Sequence, residues 1–488
     1  MLSLAATAAI ALPATGAAEA LTAPARPLAA GSGTASAASA ASAASPTSPA
    51  SPASPADCTG AGVSDFDGDG LEDSAVGDPF ANPGGLTGAG AVHVLFGRGE
   101  SGKAVTVPET KAGDAFGWSV RLAKVDGDGC ADLLVGAPYA DVAGRTDAGA
   151  VYVVYGGPRG RTVRLVSAEP EADAHFGWSL ASGGTLVAVG APHENAGSTA
   201  DSGAVHLFDT ATLGAGRRIS QETEGISGNG EVGDMFGWSL AIGRLGGTPD
   251  EPDLAVGVPY ENDDGAGRQA GAGKLDSGSI AVIYDVREAK EEYRNRKWDL
   301  REVARSEEGD RFGYAMAYAE QGDVGYLAVS APLGDGGEVK DSGLVQLFQS
   351  SDAQEISPIA TLHQGAEGAE GEGYGFSLAF TGEGAGEIRL AVGVPFDGTG
   401  GQGGVRLITM GEPDAGTLVT QSEAGDHFGW SVGFSGNRLV AGAPDRGGAG
   451  AVVLLGRNDT EGTPLSPGAG KIPALEGAAS ADFGAAVG

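Results

Sequence analysis

A seven-bladed, all-β propeller is the fold class this sequence predicts, and three recurring patterns predict it. The first is a tetrapeptide found seven times: Val76-Gly77-Asp78-Pro79, Val135-Gly136-Ala137-Pro138, Val189-Gly190-Ala191-Pro192, Val256-Gly257-Val258-Pro259, Val329-Ser330-Ala331-Pro332, Val392-Gly393-Val394-Pro395 and Ala441-Gly442-Ala443-Pro444. The second is an aromatic-glycine pair, also found seven times: Phe116-Gly117, Phe176-Gly177, Phe236-Gly237, Phe312-Gly313, Tyr374-Gly375, Phe428-Gly429 and Phe483-Gly484. The third is an apolar run after each proline and its Gly-rich loop, such as "AGAVHVLFG", "AGAVYVVYG" and "SGSIAVIYD". Alternating β-branched and aromatic residues bounded by Gly and Asp are strand signals. A unit of a few short strands cannot hide its apolar faces alone, and radial packing on its neighbours supplies the cover.

The elements follow in chain order. Residues 1–20, "MLSLAATAAIALPATGAAEA", have the apolar core of a secretory signal with a small-residue cleavage site at Ala18-Glu19-Ala20, and are expected to be a signal peptide; the basic segment that usually opens one is missing, which leaves the true start open. The Ala/Ser/Pro tract over 21–57 cannot bury a core and is expected to be a flexible linker. The repeats occupy 58–488. No later segment stays apolar long enough to span a bilayer, so the expectation is a secreted, monomeric chain. The formal net charge of -34 argues against nucleic acid, whose phosphates need Lys and Arg, and suits hard cations held by oxygen.

The first unit opens with "DFDGDGLED". Oxygen ligands fall at its positions one, three, five and nine, Asp65, Asp67, Asp69 and Asp73, with the Leu71 carbonyl at seven and Gly68 and Gly70 for a sharp turn. This spacing wraps Ca2+ with oxygens about 2.3–2.6 Å away. Without an ion, the clustered carboxylates disfavour one another's charged forms. The loop is not an EF-hand, because Val76 stands where that motif needs a bidentate Glu, and Glu72 is expected to face solvent. The second unit has a worn copy, "KVDGDGCAD", with Asp126, Asp128 and Asp132 at positions three, five and nine but Lys124 at position one. An ammonium has no lone pair for a metal, so this site is expected to be weaker or empty. Cys58 lies just ahead of the first loop and Cys130 inside the second; a disulfide between them and two free thiols are both open.

Later units bring no catalytic motif. "GRGESGKA" nearly spells a phosphate-binding loop but has Ala104 where Ser or Thr should hold Mg2+, and strand follows rather than helix. His93 and His206 sit at equivalent strand positions, and His175 and His427 each precede Phe-Gly, which argues for packing. Trp118, Trp178, Trp238 and Trp430 follow Phe-Gly and are expected to pack between blades. Asp147, Asp201, Asp276 and Asp341 are expected turn formers. The charged run 286–310 reads as a solvated insertion with short helical character. The first unit lacks an aromatic-glycine pair and Phe483-Gly484 lacks a following Gly-x-Pro, so joining the ends completes the seventh unit and leaves no free sheet edge.

These phrases resemble the FG-GAP repeat, the unit of the seven-bladed propeller at the N-terminus of integrin alpha chains, over about residues 58–488. The resemblance implies that Phe-Gly begins each innermost strand, that Gly-x-Pro ends the second, and that the acidic loop between them binds Ca2+. It also implies extracellular binding and adhesion toward a protein or glycan ligand. The function expected is therefore a secreted, Ca2+-binding, non-catalytic binding or cell-adhesion module. The alternative is a polysaccharide-binding lectin or polysaccharide-degrading enzyme using loops on one propeller face.

Overall fold

A computed structural model describes residues 58, 60–97, 101–157, 160–263, 273–350, 355–382, 386–420, 423–457, 459–468, 472–474 and 482–488. The expected signal and linker over 1–57 lie outside the described residues. Seven four-stranded antiparallel sheets are present. Blades 2 to 7 each run outward in chain order. Their inner strands are Val120–Ala123, Leu180–Gly183, Leu240–Gly243, Met316–Gln321, Leu378–Phe380 and Val432–Ser435. In every blade the second strand ends just before the proline of the repeated phrase, Gly-x-Pro in six blades and Ser330-Ala331-Pro332 in blade 5, as in Asp132–Ala137 of blade 2 and Leu186–Ala191 of blade 3.

Blade 1 takes its second, third and outer strands, Ser74–Asp78, Ala91–Phe96 and Ser101–Val105, from the start of the repeats. Its inner strand, Ala486–Val487, comes from the end: Val487 pairs with Val76 and Ala486 with Gly77. Gly488 extends this pairing, exchanging both backbone bonds with Ala75. The ring is thus closed inside one sheet, as the missing phrases predict.

Each blade is joined to the next by the same bond. The N–H of Phe116 donates to the Ala89 carbonyl of blade 1, and the five bonds that follow repeat it: Phe176 to Ala148, Phe236 to Ser202, Phe312 to Ser277, Tyr374 to Ser342 and Phe428 to Gln402. Phe483 to Ala449 completes the set at the closure. The core lies between blades rather than within them. Phe66, Val92, Phe116, Leu133 and Tyr152 form one layer between blades 1 and 2, and Val76, Leu95, Val440, Val452 and Phe483 form the layer between blades 7 and 1. Burying both faces of every sheet explains why the second strands read as near-continuous apolar runs.

The aromatic residues behave as packing elements. Successive rings on blades 2 to 7, Trp118, Trp178, Trp238, Tyr314, Phe376 and Trp430, lie 4.7–5.6 Å apart at tilted angles. Blade 1 has Ala485 in that place. At the centre of the third strand, His93, Tyr152 and His206 each meet their own blade's Phe edge-on, at 5.1, 5.5 and 5.3 Å. Asp147, Asp201, Asp276 and Asp341 adopt φ of 49–51°, the left-handed turn conformation that Asp tolerates. The near phosphate-binding phrase ends in the outer strand Ser101–Val105, with no helix to meet a phosphate.

The charged run departs from its reading as an insertion. Asn295–Asp299 is the outer strand of blade 4, with Trp298 opposite Ile280, and only Leu300–Glu302 makes a helical turn. Trp298 is buried against Phe348 of blade 5, and that packing outweighs the polarity of its neighbours.

Candidate metal centre beside the ring closure

The acidic loop leads into the second strand of blade 1, Ser74–Asp78. Gly68 and Gly70 have φ of 76° and 86° and fold the chain back so that its carboxylates turn inward. Asp65 is fully buried and accepts N–H bonds from Gly68 at 2.7 Å and Gly70 at 2.8 Å. Asp67 accepts from the Asp69 N–H at 3.1 Å, and Asp69 from the Leu71 N–H at 2.8 Å. Asp73 is buried at the start of the second strand, where Phe66 and Gly97 donate to its two oxygens at 2.8 and 2.7 Å.

One oxygen from each of Asp65, Asp67 and Asp73 lies within 4.8 Å of the others. Asp69 is exposed and stands outside this group, and the Leu71 side chain is exposed as well. Burial, followed at a distance by Asp67 and Asp65, pushes the Asp73 carboxyl up to about 7, against its two backbone donors. Burial and the neighbouring Asp69 and Asp65 also raise Asp67. Among the described residues no Lys or Arg pairs with these carboxylates. An all-oxygen donor set, partly buried and without a cationic partner, fits a hard divalent cation.

Glu72 does not face solvent as expected. Its Oε2 accepts from the Ser64 N–H at 2.8 Å and from the Ser64 hydroxyl, so it clamps the entry to the loop. The second loop repeats the first loop's hydrogen bonds at positions three, five and nine. Asp126 accepts from the Asp128 N–H at 3.1 Å, Asp128 from the Cys130 N–H at 3.0 Å, and Asp132 from Val125 and Gly156 at 2.8 and 3.0 Å. The three are not gathered into a common ligand group as Asp65, Asp67 and Asp73 are. Lys124 turns away, donating to the Ala61 carbonyl at 2.7 Å. Cys58 and Cys130 are disulfide-bonded, 4.9 Å apart at Cα, which settles the open choice and removes both sulfurs as ligands.

A third copy of the position-nine aspartate was missed in the sequence. Asp253 is buried in blade 4 and accepts from Leu245, Gly247 and Asp285 at 2.7, 2.8 and 2.8 Å. Asp73, Asp132 and Asp253 each stand three residues before the Val of Gly-x-Pro, a spacing that would have found all three. This aspartate clamps the turn between strands whether or not carboxylates precede it, and against blade 2 only Asp65, with Lys124 in its place there, sets the acids of blade 1 apart.

The loop is wedged between neighbours. The Asp65 and Phe66 carbonyls accept from Ala131 and Gly157 of blade 2, both at 2.8 Å. From blade 7, Ser435 donates its hydroxyl to the Glu72 carbonyl at 2.6 Å and Arg438 donates to the Gly97 carbonyl at 3.0 Å. A cation here would stiffen the blade in which the ring closes.

Comparison with known proteins agrees with this architecture. FG-GAP repeat family patterns match residues 116–154 and 160–208. Integrin alpha-PS2 of Drosophila melanogaster is 32% identical over 218 residues, which are 41% of this chain and 15% of the relative. Integrin alpha-5 of Xenopus laevis is 33% identical over 208 residues, 40% of this chain and 19% of the relative. Phosphatidylinositol-glycan-specific phospholipase D of Mus musculus is 33% identical over 225 residues, 41% of this chain and 26% of the relative. The matches therefore span between 15% and 26% of these relatives' lengths. With seven blades, seven aromatic-glycine junctions and these two matched repeats, the chain is an FG-GAP repeat protein resembling the integrin alpha propeller.

Proposed function

We propose that this protein is a secreted, Ca2+-stabilised, non-catalytic binding module that engages an extracellular protein or glycan in the manner of an adhesion domain. The observation that carries the calcium reading is the convergence of Asp65, Asp67 and Asp73, uncompensated by Lys or Arg, in the ring-closing blade. Similarity to integrin alpha chains supports the binding role. Asp65, Asp67 and Asp73 supply carboxylate oxygens to the ion, the Leu71 carbonyl is the fourth candidate, and Asp69 reaches it only after a rotation or through water. Asp126, Asp128 and Asp132 form at most a weak second site.

Calcium titration with a melting scan tests the metal. Asp67→Ala is expected to lose one tight site and to melt several degrees below the parent in Ca2+, with the two proteins equal in EDTA. Equal stoichiometry for the two would remove the assignment. A glycan and protein array with and without EDTA, run beside a screen for reducing-end release, tests the binding role. Binding without cleavage supports the module, and release of sugar by the purified chain would replace it with the polysaccharide-degrading reading.

A further inference from the structure

A cavity of about 750 Å3 runs along the axis of the ring, bordered by the inner strands and by the turns that lead to the second strands. That is within the roughly 300–1,000 Å3 typical of small-molecule sites. Its wall is polar and apolar in about equal parts, with Leu180, Ile242, Phe380, Val432 and Phe434 among the apolar lining side chains. Three arginines border it, Arg121, Arg244 and Arg287. Arg121, on the inner strand of blade 2, donates from Nε to the Ser182 hydroxyl of blade 3 at 2.8 Å. Among the described residues no other hydrogen bond engages it.

The charge of Arg121 is not compensated. It stands exposed to the cavity on the inner strand of blade 2, and the surrounding protein disfavours its charged form. In a chain with 64 Asp and Glu against 30 Lys and Arg, carboxylate partners are abundant. The other arginines bordering the cavity have taken them: Arg244 pairs with Glu320 and Asp323, and Arg287 with Glu251. Arg121 keeps its two terminal nitrogens for something that enters from outside.

We propose that the axial cavity binds an aliphatic monocarboxylate, its head group held by the fork of Arg121 and its tail lying along Leu180, Ile242, Phe380 and Phe434. The planar guanidinium matches a carboxylate with two parallel N–H bonds, and Ser182 fixes the fork by holding Nε. Each methylene brought against the apolar wall tightens binding about fourfold. A short anion such as acetate gains the first contribution only, and a neutral alcohol gains only the second.

Calorimetric titration of the full chain with decanoate, decanol and acetate tests the site. One decanoate per chain is expected, bound at least tenfold more tightly than either control. Arg121→Gln is expected to melt as the parent does and to bind decanoate no better than decanol. Should Arg121→Gln fail to fold, Ser182→Ala is the second variant, expected to weaken decanoate several-fold and leave decanol unchanged. The proposal is overturned if the parent binds no decanoate or does not distinguish it from decanol, or if the variants bind decanoate as the parent does.

Discussion

Ser330 stands where the other second strands carry glycine, and Ala315 stands where five other blades have serine at the entry to the inner strand and blade 1 has Ala486. Elsewhere the serine hydroxyl crosses to the next blade, as Ser119 does to the Gly177 carbonyl at 2.8 Å and Ser179 to that of Gly237 at 2.7 Å. A Cβ on the facing glycine would lie 2.2 Å from that hydroxyl, so serine and glycine are a matched pair. In blade 5 the hydroxyl has changed sides: Ser330 Oγ accepts from the Ala315 N–H at 3.0 Å. Ser330→Gly is expected to cost about 1 kcal/mol by orphaning that donor. Ala315→Ser alone is expected to crowd Ser330, while the double variant restores the usual pair and recovers most of the loss. Urea melts of the double-mutant cycle measure this coupling, and additive effects would refute it. His93 makes a pH prediction at the same scale. Burial lowers its pKa to about 4, below the 6.5 of an exposed imidazole. The unfolded chain therefore takes up a proton that the folded one refuses, and stability falls as pH drops from 6.5 toward 4, by up to about 1.4 kcal/mol per pH unit. His93→Tyr, which copies Tyr152 of blade 2, is expected to lose this part of the acid sensitivity in melts between pH 7 and 4.5.

At the scale of the element, close approach between blades is set by the second strand. A Cβ at Gly190 would meet the Gly237 carbonyl of the next blade at 2.1 Å, and those at Gly136, Gly257 and Gly393 meet the matching carbonyl at 2.0–2.1 Å. Gly190→Ala is expected to lower stability by about 3 kcal/mol, because a backbone carbonyl cannot step aside. Gly197→Ala, at φ 64° with open space around it, is expected to cost only about 1 kcal/mol. Equal denaturation midpoints for the two would show that the blades are not in hard contact. Contacts of this kind are why so much of the fold was legible in the sequence: Phe-Gly and Gly-x-Pro recur because each junction needs both. The outer strands were harder to read, since they are half exposed and nothing forces a pattern on residues such as Asn295, Arg296 and Lys297. The site was half legible. Spacing placed Asp65, Asp67 and Asp73 together, but the same spacing does not show that Asp69 stays outside or that Glu72 folds back onto Ser64. Asp253 escaped because its clamp depends on one aspartate and its distance to the strand, not on a crowd of acids.

For the whole molecule, closure rests on two paired residues and one repeated junction bond. A chain lacking residues 481–488 is expected to leave the Ser74–Asp78 edge unpaired, to melt earlier and to self-associate, as exposed strand edges do. Sizing chromatography and a thermal scan measure both, and an unchanged monomer with an unchanged melting point would rule out the ring. The disulfide, which joins residues 72 positions apart across blades 1 and 2, does not substitute for this closure, because it ties the opposite side of blade 1. That arrangement also governs how the protein is made. While it is being synthesised, the sheet begun by residues 74–105 waits for its innermost strand until residues 486–487 have left the ribosome. The apolar flanks of the first and last sheets have no partner throughout that interval, which makes this longest-range contact the slowest to form and the partly made chain open to aggregation.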